Sequence, residues 1–346
     1  MRTACPRCGR PADEGLCPEC LLETASLIDS PGAIEVTVCS VCGARKVRGR
    51  WTPHDGMGLE DLVSQEVIGG LGIHRELEDP KVSLDLRRIG ATSYTAEVAV
   101  SGTFRGQAAE QRCEVSVRIR QMACDRCSRI AGGYFQSTVQ VRGNRDRGLT
   151  KEEIEESKRI AVTLAESEYR GGDQLSFIQD IREVRGGLDM LLGSTKLGRH
   201  LARALQDRFG GRVLESCKLV GRRDSRDLYR STILVRLPRL RLGDVVSRRG
   251  ELLEVVGFDG RDVLVSSIPE GRRSMLTEEG SGSVEILGNR ADARSAVVVA
   301  MDQDVLEILD PDTFQTVLAP RPRSLRVGPG EEVTVVRTVH GFLVLG

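Results

Sequence analysis

The stretch CPRCGRPADEGLCPEC, residues 5–20, carries two CxxC pairs with eight residues between them, and the pair returns at Cys39/Cys42 and at Cys124/Cys127. These four pairs use eight of the ten cysteines, leaving Cys113 and Cys217 apart. A two-residue gap turns two thiolates toward one ion at the ~2.3 Å zinc–sulfur distance, and two such knuckles complete a tetrahedral four-thiolate site. Four knuckles therefore read as two zinc ions. Gly9 and Gly43 follow the second cysteine of their knuckles, while Pro6 and Pro18 follow the first, which suits tight turns with a residue at positive φ. A thioredoxin-like alternative needs one exposed motif at a helix N-terminus rather than four knuckles. A site filled by four thiolates has no open position for water or substrate, so the ions read as structural.

Spacing leaves the pairing open. Cys5, Cys8, Cys17 and Cys20 make a compact site, yet the eighteen residues from Cys20 to Cys39 also suit a ribbon. The preferred pairing joins the first two knuckles and leaves Cys39 and Cys42 to meet Cys124 and Cys127 across 81 intervening residues. Residues 43–123 would then fold as an insertion tied at its base by the second ion.

The rest of the chain gives the scale. Its 346 residues suffice for several domains, and with only 3% aromatics the cores must be built from aliphatic side chains. Fifty basic and fifty acidic residues cancel, which excludes a global field for nucleic acid or membrane and leaves local patches. Of the basic residues 44 are Arg and 6 are Lys, a bias that base composition alone produces but that also favours bidentate phosphate contacts. No apolar run approaches the ~20 residues of a membrane span and residues 1–10 lack a signal-peptide core, so a soluble, cytoplasmic protein is expected.

Periodicity divides the chain into four expected segments. Residues 1–143 form a zinc-binding domain with two four-cysteine sites, a helix over Asp55–Gly70 capped near Asp55, and antiparallel strands over Lys81–Ile89, Tyr94–Phe104, Arg112–Met122 and Tyr134–Val141. Val115, Val117 and Ile119 would share one face of the third strand, and Cys124 and Cys127 would sit at a hairpin tip. Residues 144–236 read as a two-layer α+β module: Thr150 and Glu153 form a capping box, and Ser194–Phe209 is a helix stopped by Gly210. Strand rhythm with turns then suggests an SH3-like barrel at 237–270 and an OB-like or second β-barrel segment at 271–346. The fold class is thus α+β multidomain.

Catalytic constellations fail. His54, His74, His200 and His340 lie in no nucleophile pattern, and no P-loop or dinucleotide fingerprint occurs. Basic clusters are more informative. Arg45, Lys46, Arg48, Arg50 and Trp51 follow the Cys39/Cys42 knuckle, pairing phosphate-binding charge with a stacking surface. The competing reading packs Trp51 into the zinc core and leaves the charges solvated. Arg222, Arg223 and Arg226 fall in a hairpin loop, Arg248 and Arg249 in the first barrel turn, and Arg321, Arg323 and Arg326 around two prolines.

Taken in order, CPRCG at Cys5, LCPECL at Leu16, CSVCG at Cys39, the basic run to Trp51, CDRC at Cys124 and GGLD at Gly186 resemble one family. It is the large-ribosomal-subunit export adaptor historically named nonsense-mediated mRNA decay protein three, in its archaeal form. The resemblance implies a non-enzymatic assembly factor on the joining face of the large subunit. Its expected partners are ribosomal RNA, ribosomal proteins and other subunit-bound assembly or anti-association factors, and it would act as a monomer away from membranes. It also implies C-terminal barrels similar to the hypusine-bearing translation factor, although the turn Ser247–Gly250 has Arg248 and Arg249 where that factor has its modified lysine. The chain stops at Gly346, so the nuclear transport tail of eukaryotic members is not implied. Two other classes stay open: a zinc-ribbon RNA-modifying or RNA-processing enzyme, which would need a catalytic constellation, and a protein-interaction adaptor without RNA contact.

Overall fold

Alternation of apolar and polar residues places the strands of the first part of the chain, and the computed structural model shows what they pair with. It describes all residues except 1, 2, 13, 14, 55, 224, 225, 324, 339 and 346, and at 3, 223, 226, 278 and 279 the backbone alone. The chain divides into two compact units, Met1–Gly132 and Gly133–Gly346. The fold is α+β, rich in strands, with both four-cysteine groups in the first unit.

The first unit is built on a six-stranded sheet in the order Arg50–Thr52, Arg45–Val47, Ala33–Cys39, Gln107–Met122, Ser93–Phe104, Leu77–Arg88. Val115, Val117 and Ile119 do share the buried face, while Glu114, Ser116, Arg118 and Arg120 point to solvent. The helix α2 spans Leu59–Gly70 and covers that apolar face with Leu62, Val63 and Val67. Its N-cap is Gly58; Asp55, the expected cap, lies outside the described residues. Burial of the sixteen-residue core is what holds helix to sheet, at roughly 25 cal/mol per Å² of apolar surface removed from water.

Three expectations for this unit are corrected. Ser137–Arg142 does not extend the antiparallel series but joins the sheet of the second unit. The fourth knuckle is not a hairpin tip, because a short helix, α3 at Asp125–Ala131, begins there. Residues 43–123 are not a separate insertion either. Ala33–Cys39, which precedes them, runs parallel to Gln107–Met122 in mid-sheet, with Val36 opposite Ile119 and Cys39 opposite Met122. Parallel neighbours need a long crossover, and the intervening hairpins and α2 supply it within one shared core.

In the second unit a five-stranded sheet runs Ile178–Val184, Gly187–Leu192, Ser137–Arg142, Arg226–Arg236, Arg212–Arg223. Helices α4 (Lys151–Arg170) and α5 (Thr195–Phe209) pack on one face, against Val139, Val141, Leu188, Met190, Ile233 and Val235. Both bonds of the Thr150/Glu153 capping box are present, Ser194 caps α5, and Gly210 ends it at φ +71°. Beyond Pro238 a five-stranded sheet occupies residues 244–289 and another occupies 294–345. Each has its own aliphatic core, and Val245, Leu287, Val336, Leu343 and Leu345 form a further cluster between them.

Candidate metal centres and basic surfaces

The two cysteine groups are built alike. In the first, Gly9 donates its N–H to the Cys5 carbonyl at 2.9 Å and Cys5 donates to Arg10 at 2.8 Å; in the second, Gly43 donates to Cys39 at 3.0 Å and Cys39 to Ala44 at 2.7 Å. Gly9 and Gly43 hold φ near +76° and +73°, the left-handed turn the sequence called for. The partner pair comes from a helix start in each case. Cys17 is the N-cap of α1 (Pro18–Thr24), with Cys20 three residues on; Cys124 is the N-cap of α3, with Cys127 three residues on.

All four sulfurs in each group lie within 4.8 Å of one another. A tetrahedron with ~2.3 Å metal–sulfur bonds requires sulfurs about 3.8 Å apart. Cys8 and Cys17 are at 3.4 Å and Cys42 and Cys124 at 3.7 Å, so the cage has the size of one ion. The pairing is therefore Cys5, Cys8, Cys17, Cys20 and Cys39, Cys42, Cys124, Cys127. Cys113 and Cys217 belong to neither.

The electrostatics point the same way. The backbone N–H of Cys17 is the main influence holding the Cys5 thiol down to about 6. Burial raises the Cys39 thiol, but the N–H groups of Cys124, Cys42 and Val41 outweigh it and bring it to about 6. Their neighbours go the other way: the Cys8 side chain and then burial push Cys20 up to about 12, and burial raises Cys124 and Cys127. Four thiolates in so small a space repel, so the last protons leave only when a cation replaces them. The donor set fits a thiophilic divalent ion, with three backbone N–H···S contacts of 3.3–3.4 Å steadying the second cage.

Beside the second cage, Arg45–Val47 and Arg50–Thr52 form a hairpin whose two-residue turn, Arg48 and Gly49, has φ +48° and +82°. Lys46, Arg48 and Arg50 are exposed, but Arg45 is half-buried and donates to Gln65 of α2 at 3.0 Å. Trp51 packs half-buried on the cage against Ala44 and the cysteines, with the Lys46 ammonium 5.9 Å from its ring. Its indole is a wall of the metal centre. The expected cluster thus resolves into three exposed cations and two residues with packing duties.

Arg222 lies near the end of a long hairpin, Arg212–Arg223 paired with Arg226–Arg236, whose outer described residues are exposed. Arg222 pairs with Asp227 at 3.6 Å, and the side chains of Arg223 and Arg226 lie outside the described residues. Sequence reasoning missed the apolar residues of this arm: Leu219, Val220, Leu228 and Tyr229 are all exposed. Leu219 stands directly opposite Tyr229, a pairing that follows from register and not from composition. In the third patch Arg249 and Gly250 form another two-residue turn with positive φ, Arg249 exposed and Arg248 half-buried.

One hydroxyl, carboxylate and imidazole do meet. The Ser176 hydroxyl donates to Glu168 at 2.6 Å, and Glu168 also holds Nδ1 of His200 at 2.5 Å. The serine reaches the carboxylate and not the imidazole, and it is fully buried, so this is a tie between α4, α5 and the following loop rather than an activated nucleophile.

Sequence profiles of two domains of one family match the chain: NMD3, N-terminal domain over residues 5–132, and NMD3, second domain over residues 134–237. The chain belongs to the NMD3 family. The first match begins at Cys5 and ends five residues past Cys127, so the NMD3 N-terminal domain is the part of the chain that contains both cysteine cages. The curated proteins offer no match. Among solved structures, the one titled eukaryotic translation initiation factor 5A from Methanococcus jannaschii is similar over 31% of this chain and 91% of that one, at 23% identity and a TM-score of 0.20. Among the described residues no helix is long and apolar enough to cross a membrane.

Proposed function

We propose that this chain is a non-enzymatic adaptor that docks on the joining face of the large ribosomal subunit through ribosomal RNA and protein. The observation that carries the reading is the match to two successive NMD3 domains over residues 5–237. In this reading each cage holds one zinc ion, ligated by Cys5, Cys8, Cys17 and Cys20 and by Cys39, Cys42, Cys124 and Cys127. The ion supplies cross-linking: it fixes a knuckle against a helix start where the chain has few aromatics to build a core. Lys46, Arg48 and Arg50 on the braced hairpin, Arg222 on the long arm and Arg249 on its turn are the contacts proposed for ribosomal RNA, each carried by a hairpin.

Zero net formal charge fits docking at chosen points on a particle better than coating of free RNA. Sedimentation of the purified, metal-loaded protein with separated ribosomal subunits tests the reading. Retention on the large subunit at moderate salt, weakening as salt rises, is expected. Equal retention on the small subunit or on unrelated RNA overturns it.

A further inference from the structure

Helices α4 and α5 cover only one face of the second unit's first sheet. On the other face three arginines stand in a transverse row: Arg142 is directly opposite Arg236, and Arg236 is directly opposite Arg212. Residues in that relation have Cβ atoms about 5 Å apart, and like charges there repel. Arg236 and Arg212 are exposed, so the row presents positive charge to an incoming anion.

Two adjoining clefts flank it, of about 550 and 180 Å³, with Asn144, Asp146 and Arg236 lining both. Arg145 extends the charge on one side; Arg239 and Arg261 extend it on the other. Among the described lining residues Asp146 is the one carboxylate. Asp189 neutralises Arg142 at 2.6 Å, and Glu153 neutralises a further lining residue, Arg147. Arg239 instead donates to the Val284 carbonyl at 3.1 Å, which fixes its position without cancelling its charge. Gly211 donates to Gly260 at 2.8 Å and so clamps the turn that carries Arg261 beside Arg212. Arg239 and the backbone of the Arg261 turn are thus held before any ligand arrives, which lowers the ordering cost of binding.

We propose that this arginine seam binds the phosphodiester backbone of an RNA strand, an additional contact that rests on the ribosomal reading for which RNA it meets. The lining selects the partner class. Among its described residues none is aromatic, and Leu234, Leu237 and Pro238 are the apolar members, so they offer the charge and polarity of a nucleic-acid interface rather than the hydrophobic anchors of a protein one. Guanidinium forks match phosphate oxygens two at a time.

The test uses the full chain with its metal and a short fluorescein-labelled single-stranded RNA of mixed sequence, read by anisotropy between roughly 50 and 200 mM salt. The triple variant Arg145→Gln, Arg236→Gln, Arg261→Gln is compared with Lys151→Gln, Arg170→Gln, Arg203→Gln, which removes the same charge from the helical face. Binding by the seam variant should weaken about tenfold and lose about 2 from the magnitude of its log–log salt slope, with the helical variant near wild type. Equal weakening by both, or none by the seam variant, overturns the proposal. So does competition by polyglutamate as effective as that by polyuridylate, which would make the seam a site for acidic protein. If the triple variant does not fold, Arg261→Gln alone, on its exposed turn, should weaken binding about threefold. Seam-dependent RNA binding without retention on the large subunit would refute the ribosomal reading and leave the seam standing.

Discussion

At Gly43 an added Cβ would lie 2.8 Å from the ring of His54 in a backbone held at φ +73°, whereas at Gly9, φ +76°, it would meet open space. Both alanine variants carry the left-handed penalty of about 1 kcal/mol, but Gly43→Ala must also displace His54. Titration with a chromogenic chelator should therefore show one metal equivalent released earlier in Gly43→Ala, and a smaller change in Gly9→Ala; equal shifts would show that the His54 contact is idle. Arg147 offers a second check. It is bidentate to Glu153 at 2.8 and 2.9 Å and donates to the carbonyls of Pro238 and Arg239, all largely buried. Arg147→Ala strands a mostly buried carboxylate at the start of α4, and urea unfolding should register a loss of about 3 kcal/mol; a loss below about 1 kcal/mol would mean that water replaces the arginine. Positive φ after the Cys5/Cys8 and Cys39/Cys42 knuckles was readable because glycine announces it. The fate of Trp51 was not, since stacking surface and cage wall have the same composition and differ only in what α2 and the cysteines bring from elsewhere in the chain.

Helix α4 shows how far an element can be read alone. Its cap, the box of Thr150 and Glu153, is local and was legible. The tie to α5 was not: Glu156 accepts from Arg159 at 2.6 and 2.7 Å and from Arg208 of α5 at 3.3 Å. The Arg159 guanidinium is the main influence holding the Glu156 carboxyl down to about 2, with burial opposing and Arg208 assisting. A depressed carboxyl stabilises the fold above the ordinary carboxylate range, and that contribution drains away as pH falls toward 2. Both arginines are well exposed, so Glu156→Gln should cost under about 1 kcal/mol at neutral pH, and the gap from wild type should close in urea titrations repeated near pH 2.5. A gap independent of pH would assign the effect to packing. The short helix α3 escaped notice for the opposite reason: seven residues are too few for a period, and its one signal is a cysteine at the N-cap position.

Across the whole molecule the two units differ in what holds them. Both cysteine cages lie in Met1–Gly132, while Gly133–Gly346 rests on aliphatic cores. Calorimetry with and without a strong chelator should show one transition that falls steeply when metal is withdrawn and another that stays; a single transition shifting as one would refute separate support. Knuckle pairing was only partly legible at this scale: the intervals favour the pairing found but also allow Cys20 and Cys39 to share a ribbon, and it is the folded sulfur positions that decide. The parallel run of Ala33–Cys39 beside Gln107–Met122 was not, because sheet order is decided by which apolar faces α2 can cover together.

That parallel strand sets a timetable. As the chain is synthesised, the first cage has all its ligands once Cys20 emerges, but Cys39 and Cys42 must wait for Cys124 and Cys127, and Ala33–Cys39 must wait for its sheet neighbour. At ~5–20 residues per second the delay is on the order of ten seconds. For that interval two thiols of a half-made cage stand open on the nascent chain, so metal supply and oxidant level at the site of synthesis decide how many molecules close correctly.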